Sequence, residues 1–193
     1  MPAAERANVE TLEVPRLLIA GTVGDDVIHI GRDDPADPHA FFIETNGKRV
    51  GGGLFTPGYP PSAIIVDGGR GNDFITANPT LQGRFTILGG DGNDTIVGGH
   101  HPDTIEGGAG DDLIFGKNGD DIIYGGQGND TIRGEKGNDQ LAGDPTGDPQ
   151  PGDGNDLLFG GADAADRIFG GPGSDSAAQD EKDSYDSIET MLS

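Results

Sequence analysis

The 193-residue chain lacks cysteine and tryptophan, and it has few basic residues and no long apolar segment. The absence of cysteine excludes disulfide bonds and thiolate metal sites. Only 12 Lys and Arg residues oppose 34 Asp and Glu residues, giving a formal net charge of −22. Such a chain is a poor partner for nucleic acid, whose phosphates require basic side chains. No stretch approaches the ~20 apolar residues of a membrane-spanning helix.

The N-terminus does not predict a secretory signal peptide. It has no basic start, and its longest apolar run, residues 17–20, is shorter than the ~7–15 residues of such a signal. Export by another route stays open. Low hydrophobicity with high net charge is also typical of disordered chains. An ordered chain of this composition needs a way to offset the repulsion between its carboxylates, and a bound cation is the simplest one.

What the sequence does contain is a nine-residue repeat. From Gly89 to Ala142 the chain reads GGDGNDTIV, GGHHPDTIE, GGAGDDLIF, GKNGDDIIY, GGQGNDTIR and GEKGNDQLA, without a slip in register. Looser copies begin at Gly21, Gly68, Pro151, Gly160 and Gly170. Because one such unit is too small to bury a core, the copies are expected to stack on one another.

Each position of the repeat predicts a structural role. Position four is nearly always Gly, which suits positive φ, and position five is mostly Asn or Asp, which tolerate the left-handed region best among other residues. Position six is Asp in every copy except the one at Gly160, which has one extra residue, and position eight is apolar in nearly every copy. We therefore predict a six-residue turn followed by a three-residue strand with one inward side chain.

Stacking of the turns predicts columns of position-six aspartates. Neighbouring coils lie ~4.8 Å apart, so these carboxylates repel one another unless a cation lies between them. Ligands that are all oxygen, from carboxylates and backbone carbonyls, favour Ca²⁺ over zinc or copper. Magnesium fits less well, because it demands a smaller octahedral shell and retains its waters.

The pattern GGxGxDxUx, with U apolar, resembles the RTX (repeats-in-toxin, haemolysin-type) calcium-binding nonapeptide. The resemblance implies an all-β fold, a right-handed parallel β-roll or β-helix solenoid with stacked calcium-binding turns. Two nonapeptides make one coil, so successive repeats lie on alternate sides. Several Ca²⁺ ions are implied, each held by position-six aspartates from repeats two apart and by nearby carbonyls.

Carried over onto this chain, the resemblance pairs Asp94 with Asp112 and Asp112 with Asp130 on one side. On the other side it pairs Asp103 with Asp121 and Asp121 with Asp139. Further carboxylate ligands are Asp73, Asp156 and Asp175. The implied carbonyl ligands are those of Gly89, Asp91, Gly107, Ala109, Gly116, Asn118, Gly125 and Gln127.

Some positions depart from the pattern. His101 and Pro102 replace Gly and Asn, so we expect an altered turn and a weaker Asp103–Asp121 site, since Pro cannot take positive φ. Lys117 and Glu135 replace position-two Gly. Asp139 is expected to end its column and therefore to matter less than Asp112 or Asp121. The register shifts by one residue near Asp163 and Asp166, and the acidic residues 180–183 are interpreted as solvated surface.

We predict one solenoid domain over residues 1–193. Its parts are an N-terminal cap (1–19), irregular coils with a short antiparallel insertion (20–88), six tandem repeats (89–142), irregular repeats (143–178) and a C-terminal cap (179–193). The insertion has strands at 41–44 and 63–66, an Asn46-Gly47 hairpin turn and a loop from Gly51 to Pro61. A further strand at 84–88 leads into the tandem block.

The predicted function is calcium binding by a β-roll module whose folding and rigidity are driven by Ca²⁺. The resemblance implies a secreted or cell-surface protein exported by a one-step exporter, with no span across a membrane. Alternatives are an adhesive surface-binding stalk and a preformed β-helical scaffold of a polysaccharide-acting enzyme. We expect no enzymatic activity of the chain, because its carboxylates recur periodically, whereas a catalytic pair is singular. No macromolecular partner is indicated.

Overall fold

The computed structural model describes residues 17–21, 23–34, 37–54, 64–81, 83–144, 154–161, 164–178 and 180–192. The predicted cap before residue 17, most of the loop from Gly51 to Pro61, residues 145–153 and Asp163 lie outside the described residues. Within the described ranges the chain contains no helix with the length and apolar character needed to cross a bilayer. The predicted boundaries of the domain and of its segments stay predictions.

The described residues form strands and turns. The strands, numbered in chain order, are β1 (Leu17–Ala20), β2 (Val27–Asp34), β3 (Asp37–Thr45), β4 (Lys48–Leu54), β5 (Ile64–Arg70), β6 (Phe74–Ala77), β7 (Phe85–Asp91), β8 (Thr95–Val97), β9 (Thr104–Ala109), β10 (Leu113–Asn118), β11 (Ile122–Gln127), β12 (Thr131–Lys136), β13 (Gln140–Ala142), β14 (Leu157–Phe159), β15 (Arg167–Phe169), β16 (Ser176–Ala178), β17 (Ser184–Asp186) and β18 (Thr190–Leu192).

The strands divide between two sheets, and from β4 onward the chain visits them alternately. One sheet, called the odd sheet, has the order β1-β5-β7-β9-β11-β13-β15-β17. The other, called the even sheet, has the order β18-β16-β14-β12-β10-β8-β6-β2-β3-β4 and thus also contains β3. In the tandem block, paired residues are 18 positions apart, as in Leu113 with Thr131 and Ile122 with Gln140. Two nonapeptides therefore make one coil, and the predicted parallel β-solenoid is confirmed.

The core is a narrow apolar ladder between the two sheets. The position-eight side chains from Ile28 to Leu158 are at most 2% exposed, and Ile168 and Ala177 continue the ladder. Side chains on either side of each of these residues point outward and are more accessible, so a strand of three residues buries one apolar group. The role predicted for position eight is confirmed.

The antiparallel insertion is present and widens the even sheet. Strand β3 pairs antiparallel with β2, and β4 pairs antiparallel with β3. Asn46 and Gly47 take φ values of 51° and 73° at the hairpin turn, as predicted. The predicted loop from Gly51 to Pro61 is wrong over residues 51–54, because these residues complete β4. The predicted strand at 84–88 corresponds to β7.

Candidate calcium-binding turns

The turns that precede each strand are tight, and glycine at positions two and four makes them so. Gly108 and Gly110 have φ values of 118° and 129°, a region that side-chain-bearing residues rarely enter. A Cβ atom added to Gly110 would meet the backbone of Gly92 in the neighbouring coil. Glycine therefore serves both the backbone conformation and the close approach of stacked coils.

Position five has a different role from the one predicted. The prediction of a left-handed backbone at position five is wrong. Among the described residues, the non-glycine residues with positive φ are Asn46, Lys117, Glu135 and Ser187, and none of them is at position five of a repeat. The position-five side chains instead join neighbouring coils. The backbone N–H of Asn93 donates to Asn72 Oδ1 at 2.8 Å, and the N–H of Asn129 donates to Asp111 Oδ1 at 2.9 Å. These residues form an exposed ladder along the turns.

The position-six aspartates stack in two columns, as predicted, and they are buried. One column precedes the even strands and the other precedes the odd strands. In each column Oδ1 accepts a hydrogen bond from the backbone N–H of the preceding member, as between Asp94 N–H and Asp112 Oδ1 at 2.8 Å. The same bond joins Asp103 to Asp121 at 2.8 Å and Asp121 to Asp139 at 2.9 Å. This ladder runs opposite to the position-five ladder.

In several of these residues the second carboxylate oxygen, Oδ2, has no hydrogen-bond partner. Burying an ionised oxygen without a partner costs several kcal/mol. A repeated arrangement of such oxygens therefore indicates a missing positive partner. The buried aspartates whose Oδ2 atoms are unpartnered in the described residues include Asp73, Asp94, Asp112, Asp121, Asp130 and Asp175.

In five of these six turns the unpartnered oxygen lies beside a backbone carbonyl of the next coil and the position-one glycine of its own turn; the five turns are those of Asp73, Asp94, Asp112, Asp121 and Asp175. A Cβ atom added to Gly107 would meet both Asp112 Oδ2 and the carbonyl oxygen of Gly125. The same holds at Gly89, which faces Asp94 Oδ2 and the Gly107 carbonyl. Position-one glycine thus leaves open a cradle that is lined by a carboxylate oxygen and a carbonyl oxygen.

Burial without a cation raises the pKa of these carboxyl groups. The pKa of Asp94 rises to about 6, that of Asp112 to about 7 and that of Asp121 to about 8. The main cause is desolvation, which disfavours the charged form; repulsion from neighbouring column members adds to it, while the Oδ1 hydrogen bond acts in the opposite direction. The exposed Asp111 and Asp120 behave oppositely, because hydrogen bonds from Asn129 and Asn138 lower their pKa.

Stacked coils with two carboxylate columns define the class of this protein as a parallel β-roll built from acidic turns. The chain belongs to the family of the RTX calcium-binding nonapeptide repeat. The family model matches in four copies, at residues 65–79, 86–114, 115–146 and 152–177, which together make up just over half of the chain. A comparison with curated proteins found no match.

The residues present fit calcium. The oxygen-only cradles supply the hard ligands that Ca²⁺ prefers. Among the described residues there is no group of three or more His, Asp or Glu side chains that could hold a metal ion. Each site would therefore combine carboxylates from stacked turns with carbonyls. When bound, Ca²⁺ supplies the positive charge that the Oδ2 atoms lack.

The implied carbonyl ligands fall into two groups. Those of Gly89, Gly107, Gly116 and Gly125, at position one, face the Oδ2 atom of the preceding coil. At position three, the carbonyls of Asp91, Ala109 and Gln127 already accept hydrogen bonds of 2.7–2.8 Å from position-four N–H groups. A carbonyl has two lone pairs, so these three retain one for a cation. Asn118 occupies the corresponding place in its turn.

The turn that contains Pro102 differs from the others, as predicted. Asp103 Oδ2 accepts the backbone N–H of Gly99 at 2.8 Å, so this oxygen is satisfied within its own turn. Asp103 Oδ1 accepts the N–H of Phe85 at 2.8 Å, so the column of the odd sheet begins here. The expectation that the Asp103–Asp121 site is weaker stays a prediction, and these bonds support it.

Sequence reasoning missed three members of the columns, Asp166, Asp183 and Glu189, and it placed Asp26 at position six without naming it as a ligand. Asp26 begins the column of the even sheet, donating its N–H to Asp73 Oδ1 at 2.6 Å. Asp139 donates its N–H to Asp166 Oδ1 at 2.8 Å, so the expectation that Asp139 ends its column is wrong. The backbone N–H of Asp166 donates to Asp183 Oδ1 at 3.0 Å, so Asp183 is the next member of this column. The interpretation of residues 180–183 as solvated surface is therefore wrong at Asp183. Glu189 follows Asp175 in the other column.

Lys117 and Glu135 occupy position two in adjacent coils of the even sheet. Their φ values of 86° and 74° lie in the left-handed region. Their side chains form an ion pair at 2.8 Å and are about one-third exposed. A left-handed residue costs about 1–2 kcal/mol, and an exposed ion pair returns about 0–1 kcal/mol. The pair therefore only partly offsets the backbone strain.

We expect the double substitution Lys117→Gly/Glu135→Gly to stabilise the calcium-loaded protein by about 1 kcal/mol. The melting temperature at saturating calcium should rise by about 2–4 °C for a domain of this size. Lys136→Gly is the matched control, because Lys136 lies in the same strand without positive φ and its replacement should destabilise. A lower melting temperature in the double variant would show that the ion pair outweighs the strain.

The outward-facing apolar residues are half-buried on the two outer faces. On the odd sheet Tyr124, Ala142 and Phe169 occupy successive coils, with the small Ala142 between the two aromatic side chains. A shallow groove of ≈ 360 Å³ lies there, and Gln140 and Arg167 also line it. On the even sheet the guanidinium of Arg133 lies 4.6 Å from the centre of the Phe159 ring.

Proposed function

We propose that this chain is a calcium-driven folding module that remains loose where free calcium is scarce and becomes a rigid β-roll outside the cell. The observation that carries the proposal is the repeated, buried Oδ2 atom without a partner beside a position-one glycine cradle. These oxygens oppose folding when they are charged and have no positive partner, and they favour folding when a cation bridges the coils.

The energetic scale follows from linkage. An ion that binds only the folded chain contributes ~2.7 kcal/mol when its concentration is one hundred times the dissociation constant. Extracellular calcium modules typically have dissociation constants of ~10⁻⁴–10⁻³ M. Several sites of that affinity switch a marginal solenoid from unfolded to folded between the calcium levels inside and outside a cell. Folding after export, through a one-step exporter, is the setting that uses this difference.

The proposal predicts a steep calcium-dependent gain of β-structure. The chain, freed of calcium with EGTA at about pH 7.5, is titrated with Ca²⁺ while the far-UV circular dichroism is recorded. We expect a cooperative rise of the β signal with Ca²⁺ and little change with Mg²⁺ at the same concentrations. Calorimetric titration of the same sample gives the number of calcium ions bound.

One result would overturn the proposal. A chain that is already rich in β-structure in EGTA at about pH 7.5, and unchanged by calcium, would be held by its core and its ends alone. Calcium-driven folding would then be rejected in favour of a preformed β-helical scaffold.

A further inference from the structure

The segment of residues 184–192 does not carry a nonapeptide. The family match ends at residue 177, and the chain continues as SYDSIETML from Ser184. This segment nevertheless forms β17 and β18, which pair in register with β15 and β16. Its inward positions, Tyr185 and Met191, are six residues apart instead of nine, and its turn at residues 187–189 lacks glycine.

Despite its different sequence, this short turn reproduces the oxygen arrangement of the repeats. The backbone N–H of Asp175 donates to Glu189 Oε2 at 2.6 Å, as each column member donates to the next aspartate. The longer side chain of Glu189 therefore occupies the place of a position-six Asp. The backbone N–H groups of Glu189 and Thr190 donate to the Asp175 carbonyl at 3.1 and 3.0 Å.

The carbonyl of Ser187 takes the place of a position-one carbonyl. A Cβ atom added to Gly170 would meet both this carbonyl oxygen and Asp175 Oδ2, as a Cβ on Gly107 would meet the Gly125 carbonyl and Asp112 Oδ2. Ser187 adopts a φ of 53° at this point, a conformation that is unfavourable for a non-glycine residue. The strained conformation lies where the carbonyl is directed into the cradle.

Asp175 supplies the independent sign of a missing ligand. The residue is 0% exposed, and its Oδ2 atom has no hydrogen-bond partner. We propose that Asp175, Glu189 and the Ser187 carbonyl form a further calcium site that fastens residues 187–192 to the roll. This inference rests on the proposed calcium-driven folding, and it adds a site beyond the nonapeptides.

Such a site has a structural purpose at this end. Strands β17 and β18 are largely exposed, and Met191 and Leu192 are 40% and 36% exposed. Tyr185 and Ile188 are only partly buried against the core. Apolar contact is therefore limited in residues 184–192, and a cation shared with the buried Asp175 strengthens the attachment of this segment.

The substitution Glu189→Gln tests the site directly. The glutamine oxygen still accepts the Asp175 N–H, but the charge is lost. Calorimetric titration of the full chain with calcium should then show one equivalent fewer than the unsubstituted chain. Hydrogen exchange at residues 184–192 should lose its calcium-dependent protection, while exchange in β8 to β13 should stay calcium-dependent.

Glu181→Gln is the matched control, because it removes one charge from an exposed residue of the same segment. It should keep both the full calcium stoichiometry and the protection of residues 184–192. If Glu189→Gln behaves like this control, the further calcium site is wrong while the calcium-driven roll stands. If the unsubstituted chain binds no calcium at all, the proposed function itself fails.

Discussion

In EGTA, the β-sheet signal of the chain should be present near pH 5 and lost as the pH rises to about 8. The reason is the raised pKa of the buried column carboxyls, about 7 for Asp112 and about 8 for Asp121 and Asp130 in the folded chain without calcium. In the unfolded chain the same groups have an ordinary value of 3.8. Between these values the folded state binds more protons than the unfolded state.

The sign of the effect follows from proton linkage. A group whose pKa is raised by folding contributes stability at low pH, and that stability disappears as the pH increases through the folded pKa. The window therefore runs from about pH 4 to about pH 8. Growing repulsion between the acidic side chains, at a formal net charge of −22, acts in the same direction.

Calcium should reverse the pH dependence, because a bridging cation stabilises the charged carboxylates that protons otherwise neutralise. Added at about pH 8, it should restore the β signal, and its binding near pH 7 should release protons that calorimetry in buffers of different ionisation enthalpy detects. The double variant Asp121→Asn/Asp130→Asn should show a shallower loss of β signal in EGTA. A β signal in EGTA that rises from about pH 5 to pH 8 would contradict burial of these carboxyl groups.

The sequence predicts the repeated part of this architecture well, because one spacing determines so much of it. A period of nine places Asp112 and Asp130 in the same column once two repeats make a coil, and the hydrogen bond between them confirms the stacking. The alternation of apolar and more polar side chains around Ile114 and Ile123 likewise predicts which side chains form the core. Where the period holds, local pattern and global stacking agree.

The parts that could not be predicted lie where spacing or residue type changes. Asp166 joins its column after an extra residue, and Glu189 does so through a longer side chain and a shorter turn. Nothing in the spacing of the repeat indicates either one. The role of position five was also hidden, because Asn and Asp suit both a left-handed backbone and a side-chain acceptor for a neighbouring N–H. Only the three-dimensional stacking distinguishes these two roles.

Asp121→Asn should have opposite effects with and without calcium. Asp121 Oδ1 accepts the Asp103 N–H, while its Oδ2 lies beside the Gly134 carbonyl without a hydrogen-bond partner. Asparagine keeps the first bond and places an amide donor where the bare oxygen was. In EGTA near pH 8 the variant should therefore be more stable than the unsubstituted chain, since it avoids a buried, unpaired charge.

With calcium bound, the Asp121→Asn variant should instead be less stable than the unsubstituted chain. Asp121 lies between Asp103 and Asp139, and the proposed calcium binding would place its charge in two shared sites. Loss of the Asp121–Asp139 ion costs ~2.7 kcal/mol when calcium is one hundred times the dissociation constant, and loss of the weaker Asp103–Asp121 ion adds less, so the total should be about 3–5 kcal/mol. Asp139→Asn should cost a similar amount, because Asp166 continues the column beyond it.

Chemical denaturation of each variant, in EGTA and in saturating calcium, measures both effects. Asp120→Asn is the matched control: Asp120 is the exposed neighbour of Asp121, and it has a hydrogen bond from Asn138 and a lowered pKa. It removes the same formal charge without touching the column, so its stability should change little in either condition. If Asp120→Asn and Asp121→Asn lower the calcium-loaded stability equally, net charge alone governs calcium binding and the shared-column sites are refuted. If only Asp121→Asn inverts between the two conditions, the buried column is where calcium and folding are coupled.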